Sequence, residues 1–382
     1  MPALTPAEPP AGAPAVPYWD VRPFAAARRD ELLAAVGRVL DSGRLVLADE
    51  VRRFEEDFAR LCGVRWGVGV NSGTDALFLA LKALDIGADD EVLTVANTAV
   101  PTVAAIRATG ATPVFVDVEE ETFLMDPRLL RERLSPRSRC IVPVHLAGQA
   151  ADVPALREAA AGRDIRIVED CAQACGATIG GRRVGSLGDA GAFSFYPTKV
   201  LGAFGDAGMV VTAGEALAQR VRRLRFYGME REYAALEEGY NSRLDEVQAA
   251  LLSVRLALLD EAVAGRRAIA RRYDEALAGL GDLALPVTGA GRDHQYYLYT
   301  VRTPRRDALR EHLATRGIET KINYPHPVHL MQAYAFLGWR PGDLPVTERL
   351  AATVLSLPIY PEMPPAHQSL VVDAVRDFFG EA

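Results

Sequence analysis

The sequence predicts an α/β protein, with a three-layer αβα large domain around a mostly parallel central sheet and a smaller C-terminal α+β domain. Three observations carry that expectation. The chain has 382 residues, more than one hydrophobic core usually organises, so a large domain with a smaller companion is expected. From about residue 75 to 226, short apolar and β-branched runs alternate with helical stretches, the pattern of βα units in a parallel sheet. Those runs are solidly apolar instead of alternating, as strands buried on both faces require.

Residues 1–16 are almost wholly Ala, Pro, Gly, Thr and Glu, a composition that cannot fold alone, and they read as a flexible arm. A helix is expected from Phe24 to Val39, where Leu32, Leu33, Val36 and Val39 recur at helical spacing and Asp41-Ser42-Gly43 supplies a stop. A second helix covers Asp49 to Leu61. Strands are expected at Glu91–Val95, Pro113–Val116, Cys140–Val144, Ile165–Val168, Ala190–Phe195 and Met209–Thr212. Helices fall near 75–84, 100–109, 154–161 and 215–226. A long helical pattern runs from Leu244 to about Leu280, and a glycine-rich break from Gly279 to Gly291 separates it from QYYLYTVRT, a strand. The large domain is placed at 17–264 and the small one at 265–382.

Hydrophobic residues make up 49% of the chain and charged residues 24%, which supports a buried core and argues against disorder. The net charge of −7 comes with no basic stripe, so nucleic acid is not an expected partner. No apolar run approaches membrane-spanning length, and the N-terminus lacks the charged and apolar regions of a signal peptide. A cytoplasmic location and no membrane partner are therefore expected. Cys62, Cys140, Cys171 and Cys175 form no CxxC pair, and reduced thiols are the default in so large a chain. No His or Cys cluster follows Cys171 and Cys175 at zinc spacing, so no metal is expected.

Three segments carry candidate chemistry. In GVNSGTDALFLAL, residues 69–81, a Ser-Gly-Thr turn opens a helix whose free N–H groups suit a phosphate; the plainer reading is N-capping by Ser72 or Thr74. In RIVEDCAQACGA, residues 166–177, Asp170 lies at the carboxyl end of a buried strand, the edge where open α/β sheets bind ligands. A carboxylate there could keep a pyridine nitrogen protonated, or simply cap a helix. In GAFSFYPTKVLGAFGDAG, residues 191–208, a strand runs into a turn bearing Lys199, a candidate for Schiff-base formation with an aldehyde or else one more solvated loop lysine. Together, phosphate cradle, pyridine-nitrogen carboxylate and Schiff-base lysine are the three grips that pyridoxal 5′-phosphate requires.

The chain also resembles the sugar aminotransferases of the DegT/DnrJ/EryC1/StrS family, within the aspartate-aminotransferase-like fold-type I enzymes. The likeness runs through LDSGRLVLADEVRRFEEDFARLCG, NSGTDAL, GATPVFVDV, PVHLAGQAADV, VEDCAQACGA, SFYPTKVLGAFGDAG, NSRLDEVQAALL, NYPHPVHL and LPVTERLAATVLSLPIYPEM, over some 330 residues. It implies that Lys199 is both cofactor anchor and proton shuttle and that Asp170 pairs with the pyridine nitrogen. It further places Ala172 at the ring face, Gln173 near the phenolic oxygen, and Gly73, Thr74 and Ser194 at the phosphate. Asn241 would reach the phosphate of a neighbouring subunit, which implies a homodimer with shared active sites. Tyr324, His326 and His329 are substrate-binding candidates, with a proline-fixed surface turn as the alternative for the two histidines.

The sequence departs from the family pattern at Ala99, where many members carry an aromatic residue that covers the ring, so no stacking residue is named. The usual LGxE stands as LADE, and GDGG as GDAG at 205–208. The activity implied is ping-pong transfer of an amino group from an amino acid, L-glutamate in most members, to a nucleotide-linked keto-sugar. INYPHPVHL and DCAQA lean toward dTDP-linked 3-keto-6-deoxy-hexoses, although that branch often has His where Cys175 stands. Alternatives are a dTDP-4-keto-sugar aminotransferase and a non-catalytic regulator that senses cofactor or sugar. Lys199 argues against the family's dehydratases, which carry His there. The glycines of GRRVGSLGDAG do not follow GxGxxG, which argues against a nicotinamide dehydrogenase.

Overall fold

The computed structural model describes residues 15–380, so the proposed N-terminal arm lies outside the described residues except for Ala15 and Val16. Val16 is buried and pairs with Ile318. The central sheet has seven strands, in the order Trp66–Val70, Gly208–Thr212, Ala190–Ser194, Arg166–Asp170, Ser138–Ile141, Glu91–Thr94 and Thr112–Phe115. Five neighbours run parallel, from Ala190–Ser194 to Thr112–Phe115. Gly208–Thr212 runs antiparallel to both of its neighbours, because residues 195–207 return the chain directly without the crossover helix that parallel strands need.

Trp66–Val70 is absent from the strands expected from sequence. Its WGVGV composition reads as weak strand, but the glycines are needed for close packing. A Cβ on Gly67 would stand 2.6 Å from the Glu55 carbonyl oxygen, and one on Gly69 would stand 2.9 Å from the Leu244 side chain. Two expected helices are each divided. The first becomes Arg22–Ala27 and Arg29–Ser42. The long one becomes Glu246–Leu256 and Leu259–Leu277, with Leu258 outside helical geometry.

Helices cover both faces of the sheet. Gly73–Ala83 and Glu215–Leu224 pack on one side through Leu79, Leu81 and Val221; Asp49–Cys62 packs on the other through Phe54 and Phe58. Phe58 meets Phe193 and Phe195 edge to face, with centroids 4.9 and 5.1 Å apart, the geometry favoured by ring quadrupoles. Beyond the sheet, Tyr299–Arg302 pairs antiparallel with Val354–Leu357, flanked by the helices Arg306–Thr315 and Pro365–Phe379. The helix Leu259–Leu277 serves two cores: Leu259 and Val263 join the cluster under the sheet, whereas Ile269, Tyr273 and Leu277 join the C-terminal cluster.

Candidate active site

The carboxyl ends of the parallel strands, with the turns that follow them, surround a cavity of about 210 Å³ lined in part by Gly73, Thr74, Asp170, Ala172, Gln173, Ser194 and Lys199. Segments far apart in sequence thus meet where parallel α/β sheets place ligands.

At one end, Ser72 is extended and its hydroxyl accepts the Asp75 N–H at 3.1 Å, capping the helix Gly73–Ala83. Capping here does not preclude an anion, because the cap uses one donor and other first-turn N–H groups remain without helical partners. Gly73 packs so closely on the strand end that a Cβ there would lie 2.5 Å from Ser194 Cβ. Ser242 ties the cradle from outside, donating to Asp75 Oδ2 at 2.6 Å and accepting the Asn71 N–H at 3.1 Å.

Asp170 ends the strand Arg166–Asp170 and is 4% exposed. One carboxylate oxygen accepts the Thr102 hydroxyl at 2.8 Å and the other the Ala172 N–H at 3.1 Å. Thr102 bonds in turn to Thr98 at 2.9 Å. Burial pushes the Asp170 carboxyl above the ordinary carboxylate range, opposed by the Thr102 and Ala172 bonds and the Lys199 charge. Asp170 makes no salt bridge among the described residues. A buried acid with no ion pair of its own is costly, and a protonated pyridine nitrogen would relieve it.

Lys199 is half-buried in a turn closed by its N–H to the Tyr196 carbonyl at 2.8 Å. Its Nζ lies 4.6 Å from the centroid of the Tyr297 ring. Gln173 is fixed at both ends, accepting the Ala147 N–H and donating to the Tyr324 hydroxyl, each at 2.8 Å. The acid, the amine and a helix start with free N–H groups, gathered on one cavity, fit pyridoxal phosphate.

The matching family description agrees with this chemistry: the DegT/DnrJ/EryC1/StrS aminotransferase family model spans residues 27–376. The chain belongs to this family. Aminotransferases of the family use pyridoxal phosphate, and this aminotransferase is accordingly a pyridoxal-phosphate enzyme. It is 52% identical over 354 residues to a dTDP-3-amino-3,4,6-trideoxy-alpha-D-glucose transaminase of Micromonospora megalomicea subsp. nigra, covering 91% of this chain and 95% of that protein. A transaminase of the same description from Streptomyces venezuelae is 49% identical over 365 residues, covering 96% of each chain. The crystal structure of S. venezuelae DesV superposes with a TM-score of 0.94 at 48% identity, covering 97% of this chain and all of the other.

The remaining candidates in this DegT/DnrJ/EryC1/StrS aminotransferase lie off the cavity wall. Asn241 is exposed and bridges Phe226. Tyr324 reaches the cavity through Gln173, and burial raises its hydroxyl above the usual phenol range, keeping it protonated. His326 is exposed. His329 turns inward, is 1% exposed, lies 3.2 Å from Glu348 and packs near Phe115 and Trp339. In this arrangement it supports the segment that carries Tyr324 and does not face the cavity.

Thr102, which orients Asp170, and Tyr297, which holds Lys199, were not singled out in the sequence. Thr102 sits in TVANTAVPTVAAI among several threonines, and no spacing distinguishes the one that reaches Asp170. His145, Glu169 and Cys171 bring ligand-type atoms within 4.8 Å of one another, but the acceptor atoms of His145 and Glu169 are in use, and burial pushes the Cys171 thiol well above its ordinary range. Glu169 accepts three backbone N–H groups, from Gly185, Leu187 and Gly188 at 2.7–2.9 Å, besides His145 Nε2 at 2.9 Å. His145 Nδ1 accepts the Ala151 N–H at 2.8 Å, so the proton sits on Nε2. This is a staple for the turn behind Asp170. All four cysteines are free and buried, and burial pushes the Cys175 thiol up to about 12.

Proposed function

We propose that the chain transfers an amino group from L-glutamate to a dTDP-linked 3-keto-6-deoxy-hexose, giving a dTDP-3-amino sugar. The observation that carries the reading is the convergence of Lys199, Asp170 and the Gly73-Thr74-Ser194 cradle on one cavity. The choice of sugar is supported by the two transaminases 52% and 49% identical, both named for a 3-amino-3,4,6-trideoxy sugar on dTDP.

Bound pyridoxal phosphate would supply an electron sink for charge that develops at the donor's α-carbon. Gly73 and Thr74, at the positive end of their helix, and the Ser194 hydroxyl would hold its phosphate. Asp170 would keep a proton on the pyridine nitrogen, held in aim by Thr102. Gln173 would face the phenolic oxygen, its orientation set by Ala147 and Tyr324, and Ala172 would lie against the ring. Lys199 Nζ would anchor the cofactor and, once released, take the proton from the donor's α-carbon. Asn241 would complete the phosphate site of a second copy in a homodimer, a reading supported by its exposure away from its own cavity. The enzyme would work in the cytoplasm, with residues 17–264 as the cofactor domain and 265–382 as the smaller one.

The test is the visible spectrum with pyridoxal phosphate before and after excess glutamate, followed by mass analysis with dTDP-linked 3-keto and 4-keto sugars. A yellow band that glutamate bleaches, with amination of the 3-keto sugar, supports the proposal. Amination of the 4-keto sugar alone would move the reaction to another carbon, and a band indifferent to glutamate would favour a sensor.

A further inference from the structure

We propose that the face of the Tyr297 ring is the resting place of the Lys199 amine in the cofactor-free and pyridoxamine-phosphate states, making Tyr297 a positioning residue that biases the enzyme between the aldehyde and amine forms of its cofactor. The proposal rests on the reading of the cavity as a pyridoxal-phosphate site.

Lys199 Nζ stands 4.6 Å from the Tyr297 ring centroid, within range for an ammonium drawn to the negative face of an aromatic quadrupole. Lys199 makes no salt bridge among the described residues, so the ring is its close partner. Tyr297 is itself held firmly. Its hydroxyl lies 3.2 Å from that of Thr198, the residue before the lysine. Behind it, buried Arg266 donates Nη1 to the carbonyls of Tyr296 at 3.2 Å, Tyr297 at 3.3 Å and Ile359 at 3.0 Å. On a third side Gly148 approaches so closely that a Cβ there would stand 2.8 Å from the Tyr297 nitrogen. Tyr296 takes a left-handed φ of 48° in this arrangement, a conformation that persists only where surroundings over-determine it.

The consequence is thermodynamic. Joining Nζ to the cofactor's aldehyde carbon releases one water and draws the amine off the ring toward the cavity, which Lys199 lines and Tyr297 does not. Pyridoxamine phosphate has no aldehyde, so with it bound the amine stays on the ring. The ring therefore stabilises the cofactor-free and amine-form states and opposes the covalent one.

The experiment measures equilibrium affinities of pyridoxal phosphate and pyridoxamine phosphate for the wild type, Tyr297→Phe, Tyr297→Leu and Tyr297→Met. Leu and Met both remove the π face, so a folded form of either decides the matter. The expected result is that affinity for pyridoxal phosphate rises about 3- to 10-fold relative to pyridoxamine phosphate in those variants, while Tyr297→Phe keeps the wild-type ratio. An unchanged ratio in the Leu or Met variant, equal weakening of both cofactors, or a Phe variant shifted as far as the Leu variant overturns the proposal. A wild type that bound neither cofactor would instead overturn the reading of the cavity.

Discussion

Replacing Gly73 with alanine tests the phosphate cradle most directly. A Cβ at this position would meet Ser194 Cβ at 2.5 Å, Cα at 3.0 Å and Oγ at 3.1 Å. Carbon atoms rest about 3.5–4.0 Å apart, so roughly 1 Å must open between the helix start and the strand end. Neither side yields easily. Ser194 sits on a central strand paired on both edges, and Gly73 leads directly into buried Ala76 and Leu77. Overpacking of this kind costs about 1–3 kcal/mol, partly offset by the roughly 0.5–1 kcal/mol that alanine gains over glycine in a helix. The damage falls on the phosphate grip, where we expect about 10- to 100-fold weaker pyridoxal phosphate binding, or roughly 1.4–2.7 kcal/mol. The assay compares pyridoxal phosphate with pyridoxal, which lacks the phosphate, by absorbance titration; the preference for the former should collapse. Gly87→Ala, where a Cβ meets nothing within 4 Å, serves as control. A Gly73→Ala protein that keeps the wild-type preference for the phosphorylated compound would refute the reasoning.

Lys199→Ala should retain its melting temperature, since the residue is only half-buried, but lose the glutamate-bleached visible band; transamination by this variant would remove the lysine from its role. Asp170→Asn should bind cofactor yet turn over at least about 100-fold more slowly for want of a charge to hold the ring proton, and near-normal turnover would contradict that assignment. Burial raises the folded-state pKa of Asp170, which shifts its balance toward the neutral acid: its contribution to stability is complete below the unfolded value of ~3.9 and lost as pH rises through the folded value. Cofactor-free Asp170→Asn should therefore melt higher than cofactor-free wild type at pH 8, with the gap closing on acidification; a gap independent of pH would count against a titrating Asp170. Glu246→Ala strips the acceptor from the N–H groups of Ala48, Glu50 and Val51, bonded at 2.7, 2.8 and 3.0 Å. Denaturant unfolding should show a loss of about 3 kcal/mol or more, at 1–3 kcal/mol per buried unsatisfied group, and a loss below about 1 kcal/mol would show that water replaces the carboxylate.

The parallel strands were legible in the sequence because burial on both faces leaves continuous apolar runs, as in Val92-Leu93 and Ile167-Val168. Trp66–Val70 was hidden because its glycines answer to tertiary contacts with Glu55 and Leu244, which no local pattern records. The cavity residues stood out where chemistry is confined to one side chain in an apolar setting: Asp170 after a buried strand, Lys199 alone in its turn. Thr102 and Tyr297 act by reaching across 68 and 98 positions of chain to Asp170 and Lys199, and hydroxyls and rings of their kind abound in the sequence. His329 shows the converse. The motif around it is distinctive, yet its ring is buried beside Glu348 and neighbouring aromatics, off the cavity wall.

The helix Leu259–Leu277 enters one hydrophobic core with its first turns and another with its last. A continuous ladder of backbone hydrogen bonds resists bending far more than a loop does, so this link behaves as a lever and not as a joint. Gly265 lies close enough to the segment after Val354–Leu357 that a Cβ would stand 3.2 Å from the Pro361 carbonyl oxygen. The C-terminal core and the residues beneath the sheet, Leu259 and Val263, are thus joined by one unbroken helix. Through the same core, the C-terminal segment has a mechanical route to the strands that carry the lysine loop.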